Sequence, residues 1–189
     1  MNLFLADTHW GHQNALAFDK RPFETIEEHD ETLIENWNNK VDISDDVYIL
    51  GDLSWWNSTK TIEIIKQLNG NKHWVVGNHD ARLLRNQELR KLFVEITDYK
   101  EITTDDGQGL VLSHYFMPTF KNHYYGWWHF FAHVHSTWEY DFCEKVRREM
   151  VEKHNVLCNA VNVGVMMPWM NYEPKTFTEI VDGWEKLNI

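Results

Sequence analysis

Six short apolar runs punctuate the chain, and the first five each close on a side chain able to hold a metal. They cover residues 3–6, 47–50, 74–76, 110–112, 130–132 and 160–163. Each is too short for a helix and too uniformly apolar for a half-solvated strand, so each is expected to be a buried strand. The residues that follow are, in order, Asp7, Gly51-Asp52, Gly77-Asn78-His79, Ser113-His114 and His133. Strands whose carboxyl ends share one edge of a sheet bring such residues together, and ligands bind in the crevice there.

Helical patterns lie between the first three runs. Thr25-Ile26-Glu27-Glu28 has capping-box spacing and precedes Leu33, Ile34, Trp37 and Val41 on one helical face. A second helix is expected over 58–68, with Ile62, Ile65 and Leu68 inward and Asn69-Gly70 ending it. Strands alternating with helices imply β-α-β units and a largely parallel sheet in the first half. Further on, residues 105–109 (DDGQG) read as a hairpin turn, which adds antiparallel pairing. Thr176-Phe177-Thr178-Glu179 opens a last amphipathic helix to Leu187. No repeat, low-complexity tract or linker interrupts the 189 residues, so one domain over 1–189 is expected.

A formal net charge of -11 opposes a protein that grips a nucleic-acid backbone. It leaves room for a phosphorylated substrate, because bound cations reverse the local field around acidic ligands. The two cysteines, Cys143 and Cys158, form no C-x-x-C pair, which speaks against a disulfide framework or a structural zinc site. The start, MNLFLADTHW, lacks a signal-peptide apolar region and no stretch approaches the ~20 residues of a membrane span. A cytoplasmic protein with no membrane partner is expected.

Asp7 and His9 leave the first run as an alternating pair, and His133 and His135 leave the fifth; in extended chain such pairs point the same way. One H-x-H alone means little, since eleven histidines in 189 positions produce about 0.6 such pairs from composition. Five metal-competent residues in register with five strand ends are another matter. Aspartate, histidine and asparagine without thiolate suit borderline or hard divalent ions. Seven candidates exceed the needs of one ion, whereas two ions about 3.5–4 Å apart, bridged by a carboxylate, use them all and suit in-line attack at phosphorus.

At these residues the chain resembles the calcineurin-like metallophosphoesterase superfamily, in its small bacterial-type branch. The blocks D-x-H, G-D, G-N-H-D, H and H-x-H stand as Asp7-Thr8-His9, Gly51-Asp52, Gly77-Asn78-His79-Asp80, His114 and His133-Val134-His135. The resemblance implies an α/β (α+β) fold, a four-layer αββα sandwich of two mixed β-sheets flanked by helices, which amends the simple parallel sheet. It implies one ion held by Asp7, His9 and His135, another by Asn78, His114 and His133, and Asp52 bridging them. Manganese is the expected ion, with iron, zinc or nickel as alternatives. A hydroxide between the ions would attack a small phosphomonoester or phosphodiester, a nucleotide-like one included, while His79 faces the phosphoryl group and Asp80 orients its imidazole. Ala132 stands where the family has glycine before the last H-x-H. Leu53-Ser54-Trp55-Trp56 replaces the V-D-R-G of protein Ser/Thr phosphatases, so that family's phosphate-binding arginine is missing. The competing readings are a binding or scaffold protein that kept the fold and lost the chemistry, and a nuclease.

Around the centre, the aromatic segment 115–130 is expected to overhang the pocket, where its rings could stack a nucleobase, with Lys121 and His123 as polar candidates for substrate phosphate. His12 and Arg21 follow the D-x-H block closely and are candidates for the same mouth. Trp138, Phe142, Val146 and Met150, at four-residue spacing within 138–155, suggest an amphipathic helix covering one edge.

Overall fold

The computed structural model describes residues 1–187; positions 188 and 189 of the expected domain lie outside the described residues. All six apolar runs are strands. The first half runs β1 (Asn2–Leu5), α1 (Gln13–Phe18), α2 (Ile26–Lys40), β2 (Asp46–Leu50), α3 (Ser58–Gln67), β3 (Asn71–Val75), α4 (Gln87–Arg90) and β4 (Glu95–Thr97). The second runs β5 (Lys100–Thr103), β6 (Gly109–Leu112), β7 (Trp128–Phe131), α5 (Trp138–His154), β8 (Asn159–Asn162), β9 (Lys175–Thr176) and α6 (Phe177–Leu187).

These strands form two mixed sheets. The first has the order β4-β3-β2-β1-β9, parallel except for β9. The second has the order β5-β6-β7-β8, parallel except for β5, whose pairing with β6 is the hairpin expected around Gly107. Period-2 alternation sorts the second sheet's side chains. Leu110, Leu112, Phe130 and Val161 point inward to meet Phe4 of the first sheet, with Phe4 and Phe130 edge to face at 5.2 Å, while Leu3 and Ile49 point to that sheet's other face. Val111, Phe131 and Ala160 point outward into a smaller core closed by Cys143 of α5. On the far side of the first sheet, Leu33 and Trp37 of α2 and Ile64 and Ile65 of α3 complete the larger core. The layers are therefore helix, sheet, sheet, helix. Burying each large apolar side chain contributes about 1.5–3 kcal/mol, so the double core carries most of the favourable energy.

The helix signals act as their chemistry dictates. Thr25 Oγ1 accepts the Glu28 N–H at 3.1 Å, capping α2. Thr176 and Glu179 cap each other reciprocally at the start of α6, the side chain of each accepting the other's N–H. Two faces differ from expectation. In α3 the buried isoleucines are Ile64 and Ile65, while Ile62 is only partly covered. In α5 the Trp138–Phe142 stripe faces solvent, at 73% and 58% exposure, and the side chains turned inward are Cys143 and Glu144. Glu144 is neutralised by Arg147, whose guanidinium also lies 4.7 Å over the Trp184 ring. That pairing selects the packed face over the more apolar one.

Candidate metal centre

The two sheets meet at the carboxyl ends of β1, β2, β3, β6 and β7. Just beyond β1, Ala6 bridges Gly164 beyond β8, so the chain there joins both sheets. The Asp7 N–H donates to the Gly51 C=O at 3.1 Å, the His9 N–H to the Asp52 C=O at 3.1 Å, and the Ala132 N–H to the His114 C=O at 3.0 Å. The loops after β2 and β3 can approach so closely because Gly51 and Gly77 face each other there. A Cβ on Gly51, φ 82°, would sit 2.5 Å from His114 Nδ1, and one on Gly77 would overlap the Asp52 carboxylate. The interlocking holds five ligand candidates in the left-handed region: Asp7 (φ 51°), His9 (51°), Asp52 (52°), His133 (71°) and His135 (50°). Such backbone costs about 1 kcal/mol or more per residue and persists only where surrounding structure imposes it.

Four of these side chains form one cluster. Ligand atoms of Asp7, His9, Asp52 and His135, all buried, lie within 4.8 Å of one another. His9 Nε2 is 4.0 Å from Asp7 Oδ1 and 3.6 Å from Asp52 Oδ2, and both Asp7 Oδ1 and His9 Nε2 lack hydrogen-bond partners although buried. Orphaned buried polar atoms are costly and call for an explanation. A divalent cation among two carboxylates and two imidazoles supplies it, and the oxygen and nitrogen donors fit such an ion.

The second group gathers on the other side of Asp52. Asn78 Oδ1 lies 3.0 Å from His114 Nε2 and 2.9 Å from His133 Nδ1, and His114 Nε2 is 3.6 Å from Asp52 Oδ1. His114 Nδ1 donates to the Leu50 C=O at 2.8 Å, which fixes its tautomer and aims Nε2 at the group. The seven residues thus converge as two sets sharing Asp52. Burial acts to raise the Asp52 carboxyl, but the neighbouring His9 and His114 imidazoles, each 3.6 Å away, and the His79 N–H outweigh it and bring it to about 2. Burial likewise lowers His9 and, together with His114, His133, favouring the neutral imidazoles that metals require.

Two residues that the strand-end pattern passed over support the first cluster. Asp19, the cap residue of α1, is buried with both oxygens 3.0 Å from His135 Nδ1, leaving His135 Nε2 to face Asp7 and His9. Burial opposes a proton on His135, but Asp7 and Asp19 outweigh it and raise its pKa. Trp55 packs against both His9, at 4.4 Å between centroids, and His79, at 4.8 Å. Neither carries a spacing signal; Asp19 had only its place two residues before Arg21 to mark it.

Several peripheral expectations need correction. Arg21 is buried beneath the centre, not open to substrate. Its Nε and Nη2 bind Asp19 Oδ2 at 3.0 and 2.8 Å, and its remaining contacts are the Asp7 and Thr8 carbonyls and His29 Nε2. Asp80 accepts four N–H groups, from Asp52, Leu53, Gly77 and the Trp74 indole, and none of them is the His79 imidazole. Its work is to clamp the two glycine loops; burial pushes its carboxyl up to about 6 against those donors. His12 does reach the centre, stacked on Trp55 at 3.9 Å with Nδ1 3.0 Å from His9 Nδ1. Lys121 pairs with Glu101 and lies over Trp127, while His123 is buried with Nδ1 2.8 Å from the Phe120 C=O. Both groups are therefore engaged within the protein, Lys121 by Glu101 and the Trp127 ring and His123 by the Phe120 carbonyl. His79 is exposed beside Asn78, its N–H held by Asp52 Oδ1 at 3.0 Å. A concavity of about 610 Å³ along α5 contains no ligand residue.

The family model for calcineurin-like phosphoesterase matches residues 3–163. An uncharacterised protein, MJ1445, of Methanocaldococcus jannaschii is 32% identical over 185 residues, covering 96% of this chain and 90% of that one. The gene 66 protein of Mycobacterium phage L5 is 33% identical over 92 residues, covering 47% of this chain and 44% of its own. A solved structure of AQ665, a protein of unknown function from Aquifex aeolicus, superposes with a TM-score of 0.63 at 26% identity, covering 96% of this chain and 98% of that one.

Proposed function

The chain belongs to the calcineurin-like phosphoesterase family, and from that premise we propose a two-metal hydrolase of small phosphomonoesters or phosphodiesters, acting in the cytoplasm with manganese. One observation carries the reading: Asp52 stands between two sets of ligands, one of which leaves Asp7 Oδ1 and His9 Nε2 buried and unpartnered. Asp7, His9 and His135 would hold one ion, Asn78, His114 and His133 the other, with Asp52 shared. When bound, such ions lower the pKa of a water toward neutrality and polarise phosphoryl oxygens.

The chain's own residues do the rest. Asp19 and the Leu50 carbonyl fix the tautomers of His135 and His114, so each presents Nε2 to the centre. Arg21 holds the Asp7 and Thr8 carbonyls, and Asp80 holds the loops of Asp52 and Gly77, which preorganises the ligands. His79 is exposed with its backbone N–H tied to Asp52, and its imidazole would give a proton to the leaving oxygen. The complete ligand set argues against a silent scaffold, and the net charge of -11 against a nuclease.

The test is turnover of p-nitrophenyl phosphate and bis(p-nitrophenyl) phosphate with Mn²⁺, Ni²⁺, Zn²⁺ and Mg²⁺. Hydrolysis is expected with Mn²⁺, and His79→Ala is expected to retain the ions yet lose about 10²-fold or more in rate. Failure of every ester with every ion, or a fully active His79→Ala, would sink the proposal.

A further inference from the structure

Three aromatic rings border the centre, one against each ligand set and one between them. Phe18, 48% exposed, packs against the first ligand set, 5.3 Å from His135 and 6.3 Å from His9. Tyr115, 49% exposed, packs against the second, 5.0 Å from His133 and 5.2 Å from His114. Trp55 lies between, against His9 and His79. Half-exposed aromatic rings beside a polar centre, one against each ligand set, are suited to holding planar groups.

The cations nearby are engaged elsewhere. Arg21 is buried on Asp19 and two carbonyls, Arg82 donates to the Trp55 and Trp56 carbonyls at 3.1 and 2.8 Å, and Lys121 pairs with Glu101. A substrate carrying further phosphates, or a polynucleotide, meets no free guanidinium or ammonium among these. A diester presents one anionic charge and two organic groups, one for each flank.

We propose that the site selects phosphodiesters whose ester groups carry planar rings, one stacking on Phe18 and the other on Tyr115. The proposal rests on the two-metal reading above for where the phosphate sits. It is narrower than a stacking role for the whole 115–130 segment: within that segment it assigns Tyr115, and it leaves out Tyr124 and Tyr125, which are exposed on their own turn.

The experiment is calorimetric titration of the Mn²⁺-loaded protein with diphenyl phosphate, dimethyl phosphate and thymidylyl-thymidine, alongside turnover of bis(p-nitrophenyl) phosphate. Diphenyl phosphate is expected to bind at least tenfold tighter than dimethyl phosphate, a difference of about 1.4 kcal/mol. Phe18→Ala and Tyr115→Ala should each erode that ratio severalfold and together abolish it, while Tyr125→Ala preserves it. Circular dichroism establishes that each variant is folded. The dinucleotide tells nucleobase from aryl ring: tighter binding than diphenyl phosphate assigns nucleoside esters, weaker binding assigns aryl esters. Equal affinity for the phenyl and methyl diesters, or a ratio that survives in the double variant, overturns the proposal. A ring-dependent ratio without turnover supports ring binding and overturns the hydrolase reading instead, so the two fail separately.

Discussion

The two ligand sets share Asp52 but are supported very differently. Around the first, buried atoms back each other in series: His135 on Asp19, Asp19 on Arg21, Arg21 on the carbonyls of Asp7 and Thr8 and on His29. Around the second, Asn78 is exposed, His133 is half-buried, and His114 alone is anchored from behind, by the Leu50 carbonyl. One half is a rigid socket and the other an open shelf. Backing by hydrogen-bonded partners raises ligand basicity and lowers the ordering cost of binding, so the first ion is expected to bind more tightly and to load first.

The harshest way to break this comparison is to remove what the halves share. Asp52→Asn keeps the shape and tolerates the left-handed backbone, but loses the charge that serves both sets. We expect a fall of roughly 10³-fold in turnover, several kcal/mol of transition-state stabilisation, with both ions weakened in a calorimetric titration. Retention of both ions at parental affinity would show that Asp52 is not shared.

A second test addresses what lies under the shelf. His129 is fully buried, with Nδ1 3.1 Å from the Val111 C=O and Nε2 accepting the Met117 N–H at 3.2 Å; burial lowers its pKa from 6.5 to about 4. Above pH 6.5 folded and unfolded chains are both neutral there. As the pH falls from 6.5 toward 4 the unfolded chain takes a proton that the folded one refuses, so stability is lost through that window. The loss is at most about 3 kcal/mol. Urea unfolding of His129→Phe between pH 4 and 7 should show a shallower slope than the parent; an unchanged slope would remove His129 as its source.

Selective damage sharpens the contrast further. Asp19→Asn should weaken the first ion by about 10- to 100-fold and leave the second closer to parental strength, whereas Asn78→Ala should do the reverse. Equal effects of both variants on both ions would mean that the halves are one mechanical unit. At the small end, Lys121→Ala removes a surface pair with Glu101 remote from both halves. It should change stability by less than about 1 kcal/mol and turnover by less than twofold.

The strands and their end residues were legible because two independent patterns coincide: apolar runs report burial, and a polar residue at the same end of each run reports a shared edge. The family blocks then supplied the proposed division of the seven candidates between two ions. The support was not legible. Asp19 and Arg21 look like an ordinary polar turn, and only the three-dimensional return of that turn puts one against His135 and the other under Asp7. Asp80 shows the same limit from the other side, since the resemblance implied that it orients the His79 imidazole whereas the side chain points back into the glycine loops. Periodicity also erred by phase. Ile62 and Ile64 both fit an apolar stripe on α3, and on α5 the buried Glu144–Arg147 pair outweighed the apolar Trp138–Phe142 stripe.

The left-handed backbone at five of the seven ligand candidates makes the motif untransferable. Asp-x-His or His-x-His grafted onto the end of an ordinary strand relaxes into extended geometry, where its two side chains share a face but stand about 6.5–7 Å apart along it, two residues of strand rise. What would have to travel with the tripeptide is the neighbouring strand end, with Gly51 making room for His114 and Asp52 receiving the His9 amide. The smallest portable version of this centre is therefore a pair of facing sheets.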